Sequence, residues 1–237
     1  MKIGILCALD RELEPFLPHI EGCKTSNKAM LTFYEGQIHG IDVVAVRVGI
    51  CKTNAAIAAQ IAIDSYGADA LINAGTAGGM DEDVELFDIV IGTEIAHHDV
   101  HESILTQHHP WMSAVFFRPD ETLLARFKKA AAQLGPAHRL RYGRMVTGEL
   151  FIDEEGREAI NAMFAPLTVD METAAIAQVC YVNEIPFLAI RTVTDTAKHS
   201  GMDHFEKNCA IASALSKDVV LALLEEMKTQ RTGADAL

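Results

Sequence analysis

Carboxylates that follow apolar strands are the residues of this chain best placed to do chemistry. Glu12 stands in Ala8-Leu9-Asp10-Arg11-Glu12, just past an apolar N-terminal run. Glu172 stands in Val169-Asp170-Met171-Glu172-Thr173-Ala174-Ala175, between a buried strand and an apolar helix. Asp195 ends the run Ile190-Arg191-Thr192-Val193-Thr194-Asp195. In open α/β sheets ligands bind at the carboxyl ends of strands, so each of these acids is a candidate. An acid in apolar surroundings is costly without a partner, and a sugar diol is a natural partner for Glu172. A fourth segment, Asn73-Ala74-Gly75-Thr76-Ala77-Gly78-Gly79, brings glycines that permit close backbone approach to a ligand. It has no P-loop lysine and no clean GxGxxG spacing. Each segment also has a plainer explanation. Acids opening a helix complement its dipole, glycines make turns, Asp170 or Glu172 could cap the following helix, and Asp195 could cap a turn.

The elements that must position these groups follow from periodicity. Apolar runs with strand length and β-branched content lie at 2–8, 42–48, 69–74, 87–97, 166–170 and 186–192. Helical spacing marks 52–66, 120–134, 171–183 and 204–228, with Asp120 as N-cap of the second. Residues 28–48 read as two strands joined at Gly36–Gly40. Strand followed by helix, repeated, predicts an α/β fold with a mostly parallel sheet covered on both faces. Residues 1–228 are expected to form one domain and 229–237, polar and rich in small residues, a frayed tail.

Composition removes several classes of function. The chain has 237 residues, enough to bury roughly three quarters of its unfolded surface. A net charge of -13 argues against nucleic acid and against an anionic membrane surface. Small ligands are not excluded, because a local site can oppose the global charge. Cys7, Cys23, Cys51, Cys180 and Cys209 are scattered without a CxxC pair, so the expectation is reduced, mostly buried thiols. The apolar N-terminus meets Asp10, Arg11 and Glu12 too early for a membrane span or a full signal peptide. The expected location is cytoplasmic.

Taken together, the segments KIGILCALDRELE (2–14), VGICKTNAA (48–56), INAGTAGGM (72–80), VTGELFI (146–152), VDMETAAIAQVC (169–180) and RTVTDTA (191–197) resemble the 5′-methylthioadenosine/S-adenosylhomocysteine nucleosidases of the purine nucleoside phosphorylase-like superfamily. They occur in the family's order and at its spacing along almost the whole chain. The resemblance implies a three-layer α/β/α fold around a central mixed, twisted sheet that forms a partial barrel. It implies a homodimer, a nucleoside substrate with water as co-substrate, and neither cofactor nor metal. By the same resemblance Asp195 is the general acid toward adenine N7 and Glu12 the base that activates water. Glu172 holds the ribose hydroxyls with Met171 beside it, Phe151 stacks on adenine, and the Ile152 backbone reads its edge. Thr76 and Ala77 line the ribose and purine side, while Leu9, Ile50 and Phe205 surround the ribose and its 5′ group.

The chemistry itself asks for acids on opposite sides of one bond. Adenine departs readily only when protonated, and the sugar then carries positive charge that carboxylates stabilise. A phosphorylase on the same fold is the nearest alternative. Those relatives place an arginine before the Gly-Ser/Thr turn to grip phosphate, where this chain has Asn73, so hydrolysis is favoured. A non-catalytic nucleoside-binding module is the other alternative, although it would have no use for Glu12 and Asp195 together. The chain departs from the family at His97-His98-Asp99-Val100-His101-Glu102-Ser103, where the aromatic-glycine-tyrosine segment that normally follows is replaced by Ile104–Met112. That leaves the preferred 5′ group open. The histidines suggest metal ligation less than a structural role, since neighbours on a strand face opposite ways.

Overall fold

The computed structural model describes residues 1–234, with side chains described through Thr229. The chain runs β1 (Lys2–Cys7), α1 (Asp10–Leu13), a 3-10 turn (Glu14–His19), β2 (Glu21–Lys28), β3 (Leu31–Ile38), β4 (Ile41–Arg47) and α2 (Lys52–Asp64). It continues through β5 (Ala70–Gly79), β6 (Ile89–His97), α3 (Glu102–Thr106), α4 (Glu121–Ala131) and β7 (Leu140–Thr147). The last elements are α5 (Arg157–Phe164), β8 (Thr168–Asp170), α6 (Thr173–Val182), β9 (Phe187–Asp195) and α7 (Met202–Ala234). Helix α7 therefore continues to Ala234 through part of the stretch expected as tail, and residues 235–237 lie outside the described residues.

The strands form one mixed sheet in the order β2-β3-β4-β1-β5-β8-β7-β6-β9, and β5 also pairs with β9. That second pairing bends β5, β8, β7, β6 and β9 into a closed ring, while β1 to β4 extend from it as an open wing. The mixture is specific. β1 pairs in parallel with β4 and β5, and β5 with β9, whereas β8 is antiparallel to β5 and β6 antiparallel to β9. The mostly parallel sheet expected from strand–helix alternation is thus a mixed barrel with a wing, as the resemblance implied.

Alternation along the strands sorts the core into layers. Ile3, Ile5, Val43, Ala45, Ile72, Ala74, Leu188 and Ile190 face α4 and α7, where they meet Phe127, Val220 and Leu224. Leu6, Val44, Val46, Leu71 and Ala189 face the other way, toward the alanines of α2 and α6. Small side chains on α2 (Ala55, Ala58, Ala59, Ala62) let that helix lie close to the sheet. A third cluster of Met80, Ala96, Val146, Ile160 and Phe164 closes one end of the barrel beneath α5.

Several expectations are met locally. Asp120 caps α4 by accepting from the Leu123 amide at 2.7 Å. All five cysteines are free, with Cys7, Cys180 and Cys209 buried. The plainer explanation of Asn73–Gly79 as a glycine turn does not hold: the segment is the second half of β5, in register with β9 from Leu71 to Gly78. Its glycines serve close approach by side chains rather than left-handed backbone.

Phe127 is fully buried between α4, α7 and the sheet, with the Tyr142 ring edge-on at 6.2 Å. Phe127→Ala should lower the unfolding free energy by about 3–5 kcal/mol in urea titrations. A loss below about 1 kcal/mol would mean that this layer is not close-packed.

Candidate active site

A buried arginine organises the site. Arg191, in the middle of β9, is fully buried and faces three carboxylates. Its Nη2 donates to Glu172 Oε2 at 3.1 Å, its Nε lies 3.2 Å from Asp170 Oδ2, and its Nη1 lies 3.9 Å from Glu12 Oε1. Neutral groups complete its shell. Nε donates to Thr173 Oγ1 at 3.1 Å and Nη1 to the Thr76 carbonyl at 3.2 Å. Burial alone would make this guanidinium easier to deprotonate, but Asp170, Glu172 and Glu12 more than reverse that and keep it charged.

Glu12 follows β1 in the short helix α1. Its Oε2 accepts from the amides of Ala8 and Leu9 at 2.8 and 3.0 Å, so it caps its own helix. Its Oε1 does something capping does not need: it crosses to β5 and accepts from the Thr76 amide at 2.7 Å and the Thr76 hydroxyl at 2.8 Å. This crossing explains Gly75. A Cβ there would stand 2.5 Å from Glu12 Oε1 and 2.7 Å from Arg191 Nη1, so the strand must lack a side chain where the carboxylate and guanidinium meet.

At the end of β8 the structure separates two adjacent acids. Asp170 is the structural one. Its Oδ1 accepts from the amides of Glu172 and Thr173 at 3.1 and 3.0 Å and from the Thr147 hydroxyl at 2.7 Å, which anchors the start of α6. Its Oδ2 takes the Thr173 hydroxyl. Glu172 occupies the N-cap position but makes no side-chain cap. It turns instead to Arg191 and to the Cys51 amide, which donates to Oε1 at 3.0 Å. Burial raises the pKa of Glu172, the Asp170 and Glu12 charges add to the rise, and Arg191 opposes it.

Asp195 ends β9, opposite Gly78 in the register with β5. It is 1% exposed. Oδ1 accepts from the Thr194 hydroxyl at 2.8 Å, while Oδ2 is buried without a partner. Burial lifts its pKa above the ordinary carboxylate value, and the Thr194 hydroxyl and then Arg157 pull the other way.

Glu12, Glu172 and Asp195 line one cleft of about 340 Å³. Leu9, Ile50, Thr76, Ala77, Phe151, Met171 and Phe205 line it too. Ile152 faces a small adjoining hollow shared with Phe151, Met171 and Asp195. Every residue that the resemblance assigned to the site is thereby brought to this cleft or its adjoining hollow. Phe151 meets Phe205 edge-on at 6.3 Å, and the Arg11 guanidinium lies 5.6 Å above the Phe205 ring while gripping Glu206 at 2.6 and 2.9 Å. Two surface depressions, of about 430 and 520 Å³, are larger. Neither gathers buried acids from separate strands, so convergence rather than size identifies the site.

The sequence reading passed over Arg191 and Thr173. Asn73 is not poised for an anion: its Nδ2 donates to the Leu6 carbonyl at 3.0 Å and its Oδ1 receives the Thr173 hydroxyl at 2.7 Å. A charge inside the apolar run Leu188-Ala189-Ile190-Arg191 was the available signal. The histidines of the 97–103 segment make local contacts. His97 pairs with Gln178 at 3.0 Å, His101 caps α3, and His98 packs where a Cβ on Gly148 would stand. Asp99 ties Lys52 at 2.7 Å to the Glu149 amide at 3.0 Å, two residues before Phe151.

Comparison with known proteins agrees with this geometry. A family described as the Phosphorylase superfamily matches residues 2–225. A 5′-methylthioadenosine/S-adenosylhomocysteine nucleosidase of Shewanella sediminis is 36% identical over 96% of this chain and all of its own length. The S. pneumoniae nucleosidase of that name, solved with a transition-state inhibitor, superposes with a TM-score of 0.87 at 31% identity, over 96% of this chain and 100% of its own. The Colwellia psychrerythraea enzyme in complex with adenine gives a TM-score of 0.87 at 33% identity, over 95% of each chain. The chain belongs to the Phosphorylase superfamily and, within it, to the 5′-methylthioadenosine/S-adenosylhomocysteine nucleosidases, which makes it an N-glycosyl hydrolase.

Proposed function

We propose that this enzyme hydrolyses the N-glycosidic bond of 5′-substituted adenosines, among them 5′-methylthioadenosine, S-adenosylhomocysteine and 5′-deoxyadenosine, to adenine and the 5′-substituted ribose. The observation that carries the proposal is the meeting of Glu12, Glu172 and Asp195 in one cleft, with an unpartnered oxygen on Asp195. Asp195 Oδ2 is the acid: its O–H bond breaks as N7–H forms, and the C1′–N9 electron pair leaves with neutral adenine. Positive charge grows on the ribose, where Glu172 holds the hydroxyls and the carboxylates face the cation. Water adds at C1′ and passes a proton to Glu12, which lines the cleft beside Thr76. Met171, Thr76 and Ala77 pack the sugar, Phe151 and Ile152 frame adenine, and Leu9, Ile50 and Phe205 enclose the 5′ group.

Electrostatics favour water over phosphate. Arg191, which could bind an anion, is committed to three carboxylates behind the cleft wall. Arg11, the one cation among the residues lining the cleft, is committed to Glu206. A phosphate dianion would meet unneutralised acids at short range, which is unfavourable in a partly dry site.

The chain acts, in this proposal, as a cytoplasmic homodimer whose residues 1–228 form one catalytic domain. Support for the dimer comes from the face built by α2, α6 and the segment after β6. Ile57, Ile104, Trp111 and Tyr181 are each at least 45% exposed there, around a depression lined by Val179 and Val182. Exposed apolar area of this kind marks contact surfaces.

Incubation with 5′-methylthioadenosine should release adenine at the same rate with and without phosphate. Adenine formed only with phosphate would make the enzyme a phosphorylase, and none from any 5′-modified adenosine would make it a binding module. Asp195→Asn should lower kcat by about 10²–10⁴-fold while adenine binding persists, and Glu12→Gln should slow hydrolysis with tight binding. Parental turnover in either variant removes that residue from its role. Because the pKa of Asp195 is raised, kcat/KM should hold through the usual carboxylate range and fall as pH rises through the raised value. A profile already falling at the pH where ordinary aspartates ionise would contradict the acid assignment.

A further inference from the structure

Beside the cleft a second buried charge has no assigned purpose. Arg157 is 9% exposed and opens α5, where a cation opposes the helix dipole. Its hydrogen-bond partners are neutral. Nε donates to the Asp153 carbonyl at 3.0 Å, and Nη1 donates to the Gly79 carbonyl at 2.5 Å and approaches Met80 Sδ at 3.3 Å. Nη2 is buried without a partner. A buried guanidinium held by carbonyls and no ion pair is a poor stabilising device. Its position suits another purpose.

The two carbonyls adjoin two walls of the cleft. Asp153 directly follows Phe151 and Ile152, and Gly79 directly follows Gly78, the register partner of Asp195. Asp195 Oδ2 is so close to that strand that a Cβ on Gly78 would stand 3.1 Å from it. We propose that Arg157 is a positioning residue for the reaction: its fork staples the segment bearing Phe151 and Ile152 to the end of β5, and its unpaired charge stabilises the Asp195 carboxylate that remains when the acid has given its proton to N7. This rests on Asp195 being the acid.

Such a charge is useful because burial works against donation. Burial makes Asp195 hold its proton, the Asp153 charge adds to this, and the Thr194 hydroxyl, Arg157 and His204 oppose it. Across the same cleft stand Glu12, Asp170, Glu172 and the Arg11–Glu206 pair. Acids dominate that wall, so the positive charge behind Asp195 is what keeps the acid from holding its proton too tightly to act near neutral pH.

Charge and fork can be separated by Arg157→Gln and Arg157→Lys, with Asp195→Asn as reference. The measurements are kcat/KM against pH and adenine affinity by calorimetry, on protein whose thermal transition is checked. For Arg157→Gln the alkaline limb should move upward by roughly one pH unit. In Arg157→Lys, which keeps the charge, the limb should stay in place. Both variants should bind adenine about tenfold more weakly, because neither holds the two walls together. The inference fails if Asp195→Asn is inactive yet the Arg157→Gln limb does not move, if the limb moves equally in both variants, or if both bind adenine like the parent. Should the Gln variant not fold, the Lys variant decides: weaker adenine binding with an unmoved limb supports the inference, and any other pattern overturns it. Normal turnover by Asp195→Asn would instead defeat the acid assignment itself.

Discussion

The structure depends on one fully buried guanidinium. Arg191 stands where β9, β5 and the end of β8 meet, and the three carboxylates around it come from two separate places in the chain, Glu12 after β1 and Asp170 with Glu172 at the end of β8. None of these charges would be tolerable alone at that depth, because an unpaired ion in a protein interior costs several kcal/mol. Together they are partly compensated by the one guanidinium, and hydrogen bonds from Thr76, Thr173 and backbone amides stabilise the acids further. The arrangement need not add to stability compared with an apolar core. Its effect is positional, since each acid has one geometry that satisfies it. Gly75 records the same constraint, as its missing side chain is the space in which Glu12 and Arg191 approach each other.

From this hub the acids acquire different characters. Glu12 receives four donors. Glu172 is buried among negative neighbours and held by Arg191 and one amide. Asp195 stands apart from the arginine, with one hydroxyl on one oxygen and nothing on the other. Carboxyl groups whose surroundings push their proton affinities apart are what acid–base chemistry on two sides of one bond requires. The closed ring of strands makes the divergence possible. It turns β8 against the direction of β5, so that its terminal acids arrive beside strand ends that run the other way.

Much of this was legible in the residue order, and the exceptions have physical causes. The β-branched strands, the Ala-rich α2 and the Asp120 cap could be read because local pattern and tertiary role agree there. Strand β2 was missed because EGCKTSNK is exposed along its whole length and shows no apolar alternation. Strand β7 was missed because Arg141 and Arg144 interrupt it, and both are held by acids, Asp88 and Glu94, that are distant in sequence. The segment 73–79 looked like a turn because glycine signals turns locally, while here it makes room for side chains from β9 and α1. Asp170 and Glu172 could not be told apart by spacing; only the hydrogen bonds assign the cap to one and the cleft to the other. Arg191 was overlooked because arginine is seldom buried, and Arg157 because it follows Asp153, Glu154 and Glu155 and so resembles the start of a solvated helix.

The most direct test of the Arg191 hub is a double-mutant cycle on stability, read by urea unfolding of Arg191→Gln, Glu172→Gln and the double variant. Removing the arginine alone should strand buried carboxylates and cost about 3–5 kcal/mol. Neutralising Glu172 in that background should recover part of the loss, giving a coupling above about 1 kcal/mol. Additive effects, within about 0.5 kcal/mol, would show that the guanidinium does not hold the acids in place.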